Sequence, residues 1–182
     1  MARSNHIDFI PLRVAVLTVS DTRTPATDTS GQALVQFLSA AGHELVDRQL
    51  VIDDIYLLRA RVSQWIADRA IQVILLTGGT GFTERDHTPQ AISPLLDRQM
   101  EGFGELFRQL SFTQIGTSTI QSRAFAGFAN GAFICCLPGS PGACDTAWRG
   151  ILRDQLDSRT GPCNVVAHLR HLEPTGRCEA RS

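Results

Sequence analysis

The chain has 182 residues, of which 43% are hydrophobic, enough for one good core and short of the length at which chains usually divide. Its 17 basic and 18 acidic residues nearly cancel, which leaves no electrostatic footprint for gripping a nucleic-acid backbone or an anionic membrane. Every basic residue is arginine, so a lysine-bearing P-loop, a Schiff-base enzyme and a lysine general base are all excluded.

Met1 to Pro11 opens polar and charged with no apolar stretch of a signal peptide, and no segment approaches the roughly 20 apolar residues of a membrane helix. The five cysteines are odd in number and lack metal-like C-x-x-C pairing, and Cys135 and Cys136 are neighbours in an apolar run. They read as reduced structural thiols, so a cytoplasmic location is expected. Arg13 to Ser20, RVAVLTVS, reads as a buried parallel strand ending in a polar loop from Asp21 to Gly31. Leu34, Phe37, Leu38 and Ala41 then recur at helical spacing after Ser30 and Gly31, until Gly42 stops them. Leu45 to Ile52 is a second strand, and Leu57, Leu58, Val62 and Ile66 mark a helix running to about Arg69.

Ile71 to Leu76, IQVILL, reads as a central strand covered on both faces. The loop Thr77 to Pro89 follows, with Thr88 and Pro89 as cap and first turn of a short helix through Leu96. Gly102 to Phe112 is amphipathic, and Thr117 to Ala129 has no settled form. Ala132 to Leu137, AFICCL, is another buried strand, ending in the turn Pro138 to Pro141, and Ser140 and Pro141 begin a helix through Leu156. The alternation predicts one α/β domain over residues 1–182 with a doubly wound, mostly parallel sheet and helices on both faces. Its core spans about 11–172, and the tails are 1–10 and 173–182, the second loosely held.

Ligands of open α/β sheets bind beyond the carboxyl ends of the strands, where the winding reverses. Three strands here end in unusual loops, each leading toward a helix opened by Ser or Thr, and helix starts offer unpaired amides to an anion. The candidate ligand-binding residues are therefore Ser20, Asp21 and Ser30 in the first loop, and Thr77, Gly78, Gly79, Thr80 and Gly81 in the second. Pro138, Gly139 and Ser140 belong to the third, and Ser122 and Arg123 lie between. The consecutive glycines permit positive φ and a nest of amides, or alternatively a plain tight turn. They are not the dinucleotide fingerprint, because Glu84 stands where its third glycine belongs, which disfavours a nicotinamide oxidoreductase.

Two carboxylates near these loops, Asp53 and Asp86, have the residue type to share a Mg²⁺ that bridges phosphate oxygens. Spacing alone equally allows Asp53 and Asp54 to cap the following helix. His87 has the chemistry of a general acid or base, although loop histidines are more often solvated. Arg108 reads as a surface cation, and for Arg123 a surface role and a phosphate contact stand even. Phe103, Phe107, Phe112, Phe125 and Phe128 crowd one region, more than a small core readily absorbs, which predicts a surface buried between subunits.

The segments TVSDTR (18–23), DTSG (28–31), TGGTG (77–81), RDHTPQA (85–91), EGFGE (101–105), SRA (122–124) and LPGSP (137–141) occur in the order and spacing of one family. The chain resembles the molybdenum cofactor biosynthesis protein B and molybdopterin adenylyltransferase family, with the stretch from Glu101 to Arg123 and the ending PCNVVAHLRHL closest to the protein B branch. The resemblance implies a three-layer α/β/α fold, a trimeric or hexameric homo-oligomer and molybdopterin at the carboxyl edge of the sheet. It also implies ATP and Mg²⁺ as co-substrates, adenylylation of molybdopterin with Asp53 and Asp86 as the catalytic acidic pair, and other cofactor-assembly enzymes as partners. The glycine loop of the family falls on Gly78, Gly79 and Gly81, and its second phosphate-facing turn on Pro138, Gly139 and Ser140. One departure is Gly142, where the family often has a lysine, which keeps a non-catalytic binding or scaffold role as the alternative.

Overall fold

A computed structural model describes residues 8–171. The expected C-terminal tail lies outside the described residues. At the other end Asp8 to Ile10 is docked: the Ser158 hydroxyl donates to the Asp8 carbonyl and accepts from Ile10 N–H, at 2.8 and 2.9 Å.

Six strands form one sheet in the order β2-β1-β3-β6-β5-β4. They are β1 (Arg13–Val19), β2 (Glu44–Val51), β3 (Val73–Thr77), β4 (Arg98–Met100), β5 (Phe125–Ala129) and β6 (Ala132–Leu137). The first four in spatial order, β2, β1, β3 and β6, run parallel, whereas β5 and β4 complete the sheet antiparallel. β3 and β6 are apolar along nearly their whole length because both of their faces are covered. β2 has only partly buried residues after Glu44, as an outer strand should.

Alternation along the strands divides the core into two layers. Val14, Val16, Val73, Leu75, Phe133 and Cys135 pack on one face with Leu34 and Leu38 of α1 (Thr29–Ala40), Phe103 and Phe107 of α4 (Glu101–Ile115), and Trp148 and Leu152. Ala15, Leu17, Ile74, Leu76, Ile134 and Cys136 pack on the other with Leu58, Val62 and Trp65 of α2 (Ile55–Ala67) and Ile92 of α3 (Thr88–Ile92). The result is the three-layer α/β/α arrangement, and each fully buried Leu or Ile in it contributes about 1.5–3 kcal/mol. The neighbours Cys135 and Cys136 therefore face opposite layers, and both are free, buried thiols pushed well up by desolvation.

Several expectations are corrected. α1 does open on Thr29 and Ser30, but its cap is Asp28, whose carboxylate accepts from Gly31 N–H. α2 is capped by Asp54, which accepts from Tyr56 and Leu57 N–H, so capping there does not involve Asp53. Thr88 lies inside α3 and its hydroxyl donates to the Gly78 carbonyl at 2.9 Å, so it ties the glycine loop down instead of capping the helix. α3 stops at Ile92, and a 3₁₀ turn (Ser93–Leu95) leads into β4, a strand the sequence did not announce. The segment left open resolves into a 3₁₀ helix (Gly116–Gln121) and β5. The helix after the last turn is α5 (Pro141–Ala147), a π-helical turn (Trp148–Leu152) and α6 (Arg153–Gln155) in succession. Four of the five crowded phenylalanines, Phe103, Phe107, Phe125 and Phe128, are buried within the subunit and only Phe112 is exposed.

Candidate functional site

The winding reverses between β1 and β3: β2 lies on one side of β1, and β3 and β6 on the other. Beyond that point the ends of β1, β3 and β6 open into a cleft of about 550 Å³. Its floor is built from Val19, Ser20, Thr77 to Gly81 and Pro138 to Ser140. These loops are locked to one another. The Thr77 hydroxyl donates to the Pro138 carbonyl at 2.9 Å and Gly78 N–H to the Leu137 carbonyl at 3.0 Å. The Ser30 hydroxyl donates to the Gly139 carbonyl at 2.7 Å, tying the start of α1 to the third loop. Ser140 caps α5 by accepting from Ala143 N–H at 3.1 Å.

Gly78 and Gly79 have φ of +107° and +63°. A side chain at Gly78 would strike the Val19 carbonyl, and one at Gly79 would overlap both the Asp53 carboxylate and the Thr88 hydroxyl. These two glycines therefore allow the backbone of the second loop to pass between the first loop and the acidic residues.

The two aspartates flank this loop and are held differently. Asp53 is 6% exposed, and its Oδ1 accepts from His87 N–H at 3.0 Å. Burial raises its carboxyl above the ordinary value, a shift that the His87 hydrogen bond and the His87 charge oppose and the charges of Asp86 and Asp21 reinforce. Asp86 also loses hydration by partial burial, but bonds from the Thr83 side chain and backbone, from Gly81 N–H and the charge of Arg123 outweigh this and hold its carboxyl low. Thr83 contributes two of those bonds, at 2.6 Å from its hydroxyl and 2.8 Å from its N–H.

Eleven of the candidate residues line the cleft: Ser20, Thr77, Gly78, Gly79, Thr80, Gly81, Asp86, Ser122, Pro138, Gly139 and Ser140. Asp53 stands directly behind the glycine loop rather than in the lining. Asp21 and Ser30 are supports. Asp21 accepts from Asp53 N–H at 3.0 Å and from the Arg85 guanidinium at 2.8 and 2.9 Å, and that guanidinium foremost, with the Asp53 hydrogen bond next, keeps its carboxyl low. Arg123 is a correction to the phosphate-contact reading: its guanidinium donates to the carbonyls of Thr80, Gly81 and Asp86, the last at 2.8 Å, and lies over the Phe82 ring. It shapes the glycine loop from behind and is absent from the cleft lining. His87 serves the site through its backbone N–H.

Sequence reasoning missed two parts of the cleft. Arg23 is the one cationic side chain among the described residues that line it, and it is engaged with Ser30 Oγ at 2.7 Å, the Gly139 carbonyl at 2.9 Å and Asp28 at 3.5 Å. Its signal was present in TVSDTR, one turn beyond the end of β1. The second omission is a wall made by Phe107, Ser111, Gln114, Ile115 and Ser118, whose helical spacing along α4 and its 3₁₀ extension sets them on one stripe. Gly142 lines the opposite rim, where a Cβ would meet nothing.

Among the described residues, no helix is long and apolar enough to cross a membrane, and no three His, Cys, Asp or Glu side chains gather to hold a metal ion.

Residues 15–158 match the family described as a probable molybdopterin binding domain. The chain is 55% identical over 163 residues to molybdenum cofactor biosynthesis protein B of Escherichia coli K12, covering 90% of this chain and 96% of that protein. A crystal structure of a molybdenum cofactor biosynthesis protein B superposes with a TM-score of 0.78 at 39% identity, over 81% of this chain and 92% of the other. The tungsten cofactor synthesizing protein MoaB of Pyrococcus furiosus gives 0.69 at 33% identity, over 79% and 92%. Sheet order, cleft position and these likenesses together show that the chain belongs to the molybdenum cofactor biosynthesis protein B family of molybdopterin-binding domains.

Proposed function

We propose that this protein acts in molybdenum cofactor biosynthesis, binding molybdopterin in the cleft and adenylylating it with Mg-ATP. The observation that carries the reading is the convergence of three loop ends, rich in glycine backbone, beside an ionised Asp86 and a buried Asp53. Loop amides with no partner among the described residues, such as that of Gly79, and the Arg23 guanidinium would receive the anionic phosphates, and Asp86, the carboxylate in the cleft lining, would hold the Mg²⁺ of the nucleotide with Asp53 close behind it. Asp86 and Asp53 would hold Mg²⁺ only as it arrives with the nucleotide, where it would neutralise phosphate charge, since no third His, Cys, Asp or Glu among the described residues joins them. Asp86, held low, stays ionised at neutral pH beside incoming phosphates. Asp53, with its carboxyl raised, fixes the His87 backbone and through it the loop that carries Asp86.

The test is direct. Purified protein incubated anaerobically with molybdopterin, ATP and Mg²⁺ is expected to yield adenylylated molybdopterin and pyrophosphate in equal amounts. Absence of both products from folded protein would remove the enzymatic claim.

A second reading, a non-catalytic carrier of the pterin, is favoured by one feature: Gly142 adds no charge to the rim, and Arg23 is already committed to Ser30, Gly139 and Asp28. It predicts molybdopterin binding without ATP consumption.

The same reading includes self-association and action in the cytoplasm beside other cofactor-assembly enzymes. Leu106, Phe112, Ile115 and Ile120 are 41 to 77% exposed along one continuous segment, an apolar surface suited to another subunit. Light scattering at micromolar concentration is expected to give a trimer or hexamer.

A further inference from the structure

The cleft has a charged end and an uncharged wall. At the loop end stand Asp86, Arg23 and the glycine amides, whereas α4 and its extension contribute Phe107, Ser111, Gln114, Ile115 and Ser118, without a charge among them. Gln114 is the long polar side chain of that α4 stripe, and Thr146 of α5 governs its orientation.

The Thr146 hydroxyl lies 2.8 Å from Gln114 Oε1 and 2.9 Å from the Gly142 carbonyl, and it has a single hydrogen to give. When it donates to Oε1, one of the two lone pairs of the Gln114 amide oxygen is taken, and both hydrogens of Nε2 remain without a partner among the described residues. Thr146 is itself 7% exposed, so this anchor sits in the protein while the side chain it holds lines the cleft. An uncharged amide turned by Thr146, with both donors unused and only one acceptor site left, is suited first to an acceptor atom on an uncharged ring. It would not serve a phosphate better than the glycine amides already do.

We propose that Gln114 is a specificity-determining residue of the cleft: held by Thr146, it donates from Nε2 to the ring oxo group of a pterin whose phosphate lies at the glycine loops. This rests on the pterin-binding reading above and adds to it the residue that recognises the ring, beyond the phosphate end. It also gives a function to the α4 stripe that the sequence motifs did not mark.

Fluorescence titration with 2-amino-4-oxopteridine reads the ring, and calorimetry with inorganic pyrophosphate reads the anion end separately. Gln114→Leu, which removes the donor, is expected to weaken pteridine binding about tenfold while pyrophosphate affinity stays within about twofold. Gln114→Glu, which faces the ring oxygen with a carboxylate, is expected to weaken it at least as much. Thr146→Val keeps the shape of the side chain but releases Oε1, and is expected to give a smaller loss in the same direction. Unchanged pteridine affinity in both Gln114 variants would overturn the proposal. So would tighter binding in Gln114→Glu, because it would show that the ring presents donors there. Wild-type protein that binds pyrophosphate but not the pteridine would defeat this inference and leave the anion site standing, whereas failure to bind either would defeat both.

Discussion

The two walls of the cleft use their polar groups in opposite ways. In the loops from Thr77 to Thr88 many polar groups are already engaged: Arg123 holds three carbonyls, Thr83 holds Asp86, Asp53 holds His87 and Thr88 holds Gly78. Along α4 the side chains that face the cleft are mostly exposed, and the same segment carries exposed Phe112 and Ile115. The first wall is built before any ligand arrives, which lowers the reorganisation needed for an anion to bind. The second is left largely open to solvent. Rigidity here follows from the number of fixed hydrogen bonds per loop, not from secondary structure, since the rigid wall is irregular and the open wall is a helix.

Substitutions can break that contrast in graded steps. The largest loss is expected from Gly79→Ala, because a residue at φ +63° would overlap Asp53 and Thr88 at once. A cost of about 3 kcal/mol in urea unfolding is predicted, with loss of pyrophosphate binding. Next comes Arg123→Met, which leaves three carbonyls of the glycine loop without their donor. About 2 kcal/mol is expected, and hydrogen exchange should rise in residues 78–88 while β1 and β6 stay protected.

The aspartates then separate by sign. Asp86 has a lowered carboxyl, so the stability it supplies is present above the ordinary carboxylate value and is lost as pH falls through the lowered one. Asp86→Asn is expected to cost about 1–2 kcal/mol at pH 7. Asp53 has a raised carboxyl, so its contribution is present at acid pH and is lost as pH rises through the raised value. Asp53→Asn keeps an acceptor for His87 N–H, and thermal melts should show the variant gaining on wild type as pH rises from 4 to 7. A gain for Asp86→Asn at neutral pH would contradict the account of that loop. Smallest of all, Ile120→Ser should change subunit stability by less than about 0.5 kcal/mol yet lower the mass seen in light scattering.

Much of the fold was readable because β1, β3 and β6 are apolar runs with loops rich in glycine, proline and threonine at their ends. β4 was not, since three residues at a sheet edge carry almost no periodic signal. Of the site, the floor was legible wherever backbone conformation demands a particular residue, as at Gly78 and Gly79. Side chains acting on backbone were misjudged. Thr88 looked like a cap, and Arg123 stood even between a surface role and a phosphate contact, because type and position do not say which carbonyl a donor will reach. The α4 wall was missed for a related reason: Ser111, Gln114 and Ser118 are ordinary helix-surface residues until the fold brings them opposite Gly139.

Chemical-shift mapping of uniformly ¹⁵N-labelled protein, titrated anaerobically with molybdopterin, tests the central claim most directly. The account predicts the largest shifts at the amides of Gly78, Gly79, Gly81 and Gly139, with smaller ones at the side-chain amide of Gln114. Shifts confined to another face, with those four glycine amides unmoved at saturation, would contradict it.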